Sequence, residues 1–267
     1  AQGILWLRGQ VFCQASIGVM TASFWSERIA WYPDGCFGPY RSEEKGYSRR
    51  ELAADVAVHI IGITLGIVAV AFLAARVVQL QLPANIAFGL GLYGVALLAM
   101  LCCSATFNIM VKPWVQHVWR LQLADHAGIL LLIAGTYTPF MLMFCKPRTL
   151  TFVWTIGFIS FTAKASKSSL DQLWLHVVCF LSMGWAVLSV WPDIVAGSSE
   201  WALNGVMRAG CLYTLGLIPW ACNRLEFHNA LWHMFVLAAS GAFFVIIYEE
   251  VAVPSSWQPS THALCSL

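Results

Sequence analysis

The chain has 267 residues, of which 59% are hydrophobic and 10% charged, and its formal net charge is +2. A soluble domain carries about 25% charge. This chain therefore lacks the polar surface to cover a globule of its size, and a lipid bilayer is the solvent that removes the contradiction. The weak charge and the lack of a basic run exclude nucleic acid as a partner. The nine cysteines are scattered, with Cys102 and Cys103 adjacent and no CxxC pair. Zinc-ribbon and redox-motif readings are therefore weak, and most of the thiols are expected in buried helix packing.

In chain order, residues 3–25 are apolar but interrupted by Arg8, Gln10 and Gln14, which suits neither a signal peptide nor a membrane span. Residues 1–50 read as an N-terminal leader, interfacial or disordered, with an eighth span over the apolar stretch as the alternative. A spanning helix needs about 20 mostly apolar residues. Seven stretches qualify, at roughly 55–79, 86–111, 122–145, 149–164, 172–191, 202–222 and 229–248. The reading is one membrane domain over 51–250 and a polar C-terminal tail over 251–267. The expected fold class is all-α: a polytopic membrane protein built as a seven-transmembrane-helix bundle, in a cellular membrane that the residues do not identify.

Lys and Arg near the span ends set the orientation. Arg41, Lys45, Arg49, Arg50, Lys112, Arg120, Lys164, Lys167 and Arg224 lie on one side, and Arg76, Lys146 and Arg148 on the other. The excess places the N-terminus in the cytosol and the C-terminus outside, opposite to the usual G-protein-coupled receptor. Trp114 and Trp119 fall where an interfacial aromatic belt is expected.

Ionisable groups in hydrocarbon are costly, so each one is a functional candidate. The first span carries His59. The second carries Ser104 and Asn108, four apart and so on one helix face. The third opens with Asp125 and His126, and the seventh with His228, Asn229 and His233, where Asn229 and His233 are again four apart. With the orientation above, four helices deliver these groups to one depth, in the cytosolic half of the bilayer. Structural roles compete with this reading. A lone intramembrane His or Asn often only bonds a neighbouring helix, and Asp125 near a helix start suits the helix dipole. His117 and His176 sit near loops with no chemistry expected, and Arg208 snorkels or pairs internally.

The stretch 123–140, LADHAGILLLIAGTYTPF, resembles the third helix of the hemolysin III family, which groups with the progestin and adiponectin receptors. Other pieces agree in order: Glu51 to Gly62 with His59, Ser104 to Asn108, Met183-Gly-Trp185, Gly210 to Gly216, and Asn229 to Val236. The similarity runs over about 48–248. The resemblance implies a seven-helix bundle with a cytosolic N-terminus. It also implies a zinc ion held by three histidines, one from the second helix and two, four apart, from the seventh, beside a helix-three aspartate that holds a metal-bound water. The wider superfamily includes alkaline ceramidases, so the implied chemistry is hydrolysis of lipid amide bonds.

The chain departs from that pattern at two of the three ligand positions, which are Asn108 and Asn229. Only His233 remains, with Asp125 and Ser104 as the implied catalytic pair. A neutral amide oxygen is a poor zinc ligand. His228 precedes His233 by five residues and shares no face with it. A rebuilt set of His59, His126 and His233 with Asp125 is one alternative. The other is a hydrogen-bonded polar cluster with no cofactor, since Asn both donates and accepts. Three functions follow. The first is a regulatory or lipid-sensing membrane protein with a polar pocket on the cytosolic side. The second is a metal-dependent lipid amide hydrolase with a modified zinc site. The third is a pore-forming cytolysin. The bilayer is the expected partner in each, with a lipid as ligand or substrate in the first two.

Overall fold

Ser48 starts the first helix. Its hydroxyl accepts the Glu51 backbone N–H at 3.2 Å, and the Glu51 carboxylate accepts the Ser48 N–H at 2.8 Å. This reciprocal cap satisfies two donors that would otherwise lack partners. The chain continues as α1 Arg49–Gln79, α2 Ala84–Met110, α3 Val118–Met143 and α4 Pro147–Ala165. Then come α5 Leu173–Gly184, α6 Trp191–Gly197, α7 Glu200–Ala221 and α8 His228–Ile246, which ends in a π turn over Ile247–Val251. The computed structural model describes residues 48–110, 118–222 and 225–253. The expectations for residues 1–47, the last fourteen residues of the tail, Lys112, Trp114, His117 and Arg224 fall outside these.

No strand occurs among the described residues. Among the described residues, five helical segments are long and apolar enough to cross a membrane: Arg49–Gln79, Ala84–Ile109, Trp119–Met143, Leu173–Gly197 and His228–Val251. Their outward faces carry Ile60, Leu65, Phe72, Phe88, Val95 and Trp174, all exposed. Their inward faces hold the polar groups. This inversion suits a lipid solvent, and the chain is a multi-pass integral membrane protein. Helices α4 and α7 match the expected fourth and sixth stretches but carry Arg148, Lys164, Asn204 and Arg208, and they fall short of that apolarity.

The expected fifth stretch is continuous, whereas the structure breaks it. Residues Ala186–Val190 form a 3₁₀ turn between α5 and α6. Pro192 falls in the first turn of α6, where its missing N–H leaves no helical hydrogen bond unmade, so the helix restarts there. Tyr137 of α3 closes the gap. Its hydroxyl donates to the Gly184 carbonyl and accepts the Val187 N–H, both at 2.8 Å. Pairing between helices follows small residues. A Cβ on Gly128 would lie 3.0 Å from the Met100 Cα, and one on Gly135 would lie 2.6 Å from the Ala96 Cβ. Helices α2 and α3 therefore approach closely along this seam, as membrane helices do where glycine removes bulk. The free thiols among the described residues are not buried as expected: Cys102, Cys211 and Cys222 are exposed, and Cys103 and Cys179 are partly buried.

Helices α1 and α8 run parallel and are tied at both ends. Glu51 accepts the Phe227 N–H at 3.2 Å where both begin. Where both finish, the Arg76 Nε donates to the Ala252 carbonyl at 2.9 Å while its guanidinium covers the Tyr248 ring at 4.1 Å. Around the bundle α7 packs on α8, α8 on α1, α1 on α2, α2 on α3, and α3 on α4 and α5. The same order brings α1, α2, α3 and α8 together at one end.

Candidate metal centre

Spacing on each helix aims the polar groups inward. Glu51, Asp55 and His59 fall at four-residue intervals, so they share one face of α1, and all three are buried. Ser104 and Asn108 do the same on α2, and Asn229 and His233 on α8. Asp125 enters from α3, one turn before Gly128, so the close α2–α3 seam sets its distance from Ser104. The Glu51–Phe227 bond fixes the register of α1 against α8. Phe227, which precedes α8, sits at φ 61°, a left-handed conformation costly for a side chain of its size.

Asp55 is the hub. Its Oδ1 receives His233 Nδ1 at 2.5 Å, and its Oδ2 accepts from Asn229 Nδ2 at 3.1 Å. Asn229 Nδ2 also donates to Asn108 Oδ1 at 3.2 Å. Asn108 in turn donates to the Ser104 carbonyl at 2.9 Å and to its hydroxyl at 3.3 Å. His59 Nδ1 donates to the Asp55 backbone carbonyl at 2.8 Å, which leaves the Nε2 lone pair facing Ser104 Oγ at 3.4 Å. The rings of His59 and His233 meet edge to face, with centroids 4.3 Å apart. Ser104 also hydrogen-bonds the Asp125 carboxyl, whose Oδ1 is buried with no hydrogen-bond partner among the described residues.

This arrangement has too few hydrogens. Two carboxylates, 5% and 8% exposed, share a membrane interior with no Lys or Arg paired to either among the described residues. The one Ser104 hydrogen cannot serve both the His59 Nε2 and the Asp125 carboxyl. A buried site rich in lone pairs and carboxylate oxygens, with the His233 ring as its one ion-pair partner besides His59 among the described residues, can hold a cation. One atom each from Asp55, His59 and His233 lies within 4.8 Å of the others. Two imidazoles and a carboxylate form a ligand set typical of catalytic zinc, which keeps a fourth position open.

The family's three-histidine set does not fit. Asn108 spends its amide hydrogens on Ser104, and Asn229 spends its own on Asn108 and Asp55, so Asn229 holds the carboxylate in place and neither offers an imidazole. A set of Asp55, His59 and His233 does fit. The sequence reading placed His59, Ser104, Asn108, Asp125, Asn229 and His233 as candidates, and the structure brings all six together. It does not bring His126 to them. His126 turns to α4 and α5, where its Nε2 lies 3.2 Å from Ser160 Oγ. His228 is buried at the head of α8, off the face that carries Asn229 and His233. Asp55 was not singled out from sequence, although its four-residue spacing from His59 was the available signal. His176, expected near a loop, is buried and bonded to Ser160.

A family model described as Haemolysin-III related matches residues 50–244. The chain is 30% identical over 213 residues to a "Hemolysin-3 homolog" of Bacillus subtilis (strain 168), covering 78% of this chain and 98% of that protein. It is 27% identical over 217 residues to a "Hemolysin-3" of Bacillus cereus, covering 78% of this chain and 94% of that protein.

Proposed function

The chain belongs to the Haemolysin-III related family, and on that premise we propose that it is a metal-dependent membrane hydrolase. It spans the bilayer seven times, with the α1 start facing the cytosol. It holds one zinc ion with Asp55, His59 and His233 and cleaves an acyl bond of a lipid, an amide by resemblance to the alkaline ceramidases. The observation that carries this reading is the convergence of Asp55, His59 and His233 beside the unpartnered oxygen of Asp125. The parallel run of α1 and α8 supports an odd number of crossings, and the excess of Lys and Arg at the α1 start supports the orientation.

Zinc supplies a Lewis acid and lowers the pKa of a water to about 7. The chain's own residues do the rest. Asn229 and the His233 ring hold the Asp55 carboxylate by separate oxygens, so it cannot rotate away. The bond from His59 Nδ1 to the Asp55 carbonyl fixes the tautomer that presents Nε2 as ligand. Asp125 takes a proton at Oδ1, the atom no neighbour satisfies, while Ser104 holds the carboxyl in position. Burial excludes bulk water from this exchange.

The test is turnover by the full chain in phospholipid nanodiscs, read as fatty acid released from a long-chain lipid amide. Wild type is expected to release it. Asp125→Asn is expected to lose at least about a hundredfold, the lower range for a general base, while retaining its metal. Equal turnover in both proteins would contradict the role given to Asp125.

A second reading has an observation of its own. The direct contact of His233 with Asp55 and the paired asparagines already form a connected network, which supports a metal-free polar cluster in a regulatory or lipid-sensing protein. Protein purified without zinc, with a melting temperature that zinc leaves unchanged, favours that reading.

A further inference from the structure

A second buried network lies beside the first, between α3, α4 and α5. Asp171, in the α4–α5 connection, has a side chain 25% exposed, and His176 Nε2 lies 2.9 Å from its Oδ1. On the other side of the same ring, Nδ1 lies 2.9 Å from Ser160 Oγ. Ser160 Oγ then meets His126 Nε2 at 3.2 Å. The two imidazoles stand edge to face at 4.6 Å, and His126 is fully buried. The remaining groups that titrate here are Lys164, whose Nζ lies 3.5 Å from Asp171 Oδ1, and Cys179, which hydrogen-bonds Ser160.

The chemistry gives this chain a direction. A carboxylate only accepts, so His176 donates from Nε2 and keeps a lone pair on Nδ1. Ser160 must then donate to that lone pair, and its oxygen accepts from His126 Nε2 and from the Cys179 thiol. Each inner member both donates and accepts along one unbroken line. The line begins at a partly exposed carboxylate and ends at a buried imidazole one residue from Asp125.

We infer that Asp171, His176, Ser160 and His126 form a proton relay between the aqueous surface at the α4–α5 connection and the interior of the bundle. A proton arriving at His126 Nδ1 releases the one on Nε2 to Ser160 Oγ. The Ser160 hydroxyl proton passes to His176 Nδ1, and the His176 Nε2 proton passes to the Asp171 carboxylate, which yields it to water. One proton enters, one leaves, and each ring ends neutral. Lys164 holds the Asp171 carboxylate in place at the outlet. The relay stands on its own geometry and does not require zinc at the first site.

A network that only ties three helices together makes the opposite prediction for hydrogen exchange, and this decides between the two. The full chain, labelled with ¹⁵N at histidine, is placed in phospholipid nanodiscs and transferred to D₂O. Exchange at His126 Nε2 is followed by NMR, with His126→Gln assigning the signal. Asp171→Asn keeps an acceptor for His176 but cannot take its proton. It is expected to slow the exchange about tenfold or more, because only local opening then remains as a route. Ser160→Ala is expected to do the same, and Ser160→Thr, which keeps the hydroxyl, to restore it. Exchange that is unchanged or faster in Asp171→Asn overturns the relay, since loosening a structural tie speeds opening. Asp171 lies in a connecting segment, so its variant carries the test even if Ser160→Ala does not fold.

Discussion

Asp55 is the residue on which the first site turns. It receives His233 and Asn229 on different oxygens, and its backbone carbonyl sets the His59 tautomer. Asp55→Asn keeps the shape but removes the charge. It is expected to lose bound zinc, as measured by elemental analysis of purified protein, whereas Asp125→Asn is expected to keep it. Acid should act in the same direction. A metal ligand must be deprotonated, so lowering the pH makes protons compete with the ion at both imidazoles. Zinc affinity is then expected to fall as pH falls, by up to about a hundredfold per unit once both rings are protonated in the metal-free protein. Titration with a zinc indicator in nanodiscs measures this. An affinity that is flat or rises toward acid would count against histidine ligation.

At the scale of the helix, the site depends on how closely α2 and α3 approach. Gly128 lies one turn beyond Asp125, and a Cβ there meets the Met100 backbone at 3.0 Å. Gly128→Val is expected to destabilise the bundle by about 1–3 kcal/mol through overpacking, and thermal unfolding in detergent reads the shift. Gly91 is the control, because nothing lies within 4 Å of a Cβ added there. Gly91→Ala is expected to be neutral or slightly stabilising, by at most about 1 kcal/mol. Equal loss in both variants would show that the seam has no special role. The helices themselves were largely legible from apolar length, which located each described span to within several residues. The break after Gly184 was not. Pro192 lies just past the expected end of the fifth stretch, and only the Tyr137 hydroxyl, from a distant part of the chain, shows how the freed backbone groups are satisfied.

For the whole molecule, the question is which groups meet. The four-residue spacings of Ser104 with Asn108 and of Asn229 with His233 could be read directly, and so could their common depth. The separation of Asp125 from His126 could not. Neighbours on a helix differ by about 100°, and which partner each one finds depends on whether α2 or α4 packs on that side. Asp55 was hidden for another reason: it stands at the first residue of its apolar stretch, where an aspartate reads as the edge of the membrane. Topology gives a prediction at the same scale. Single cysteines placed in a cysteine-free background should report the orientation. One in the α4–α5 connection, at Ser169, is expected to react with an impermeant maleimide only after the membrane is opened. One at Gln81, between α1 and α2, is expected to react on intact cells. The reverse pattern would invert the bundle.

The most direct test of the metal centre is the zinc content of the full chain purified in detergent without chelator. About one zinc per chain in the wild type, lost in His233→Ala and in Asp55→Asn, is the predicted result. Wild-type protein with no tightly bound divalent metal, or variants that keep the metal at wild-type occupancy, would contradict it.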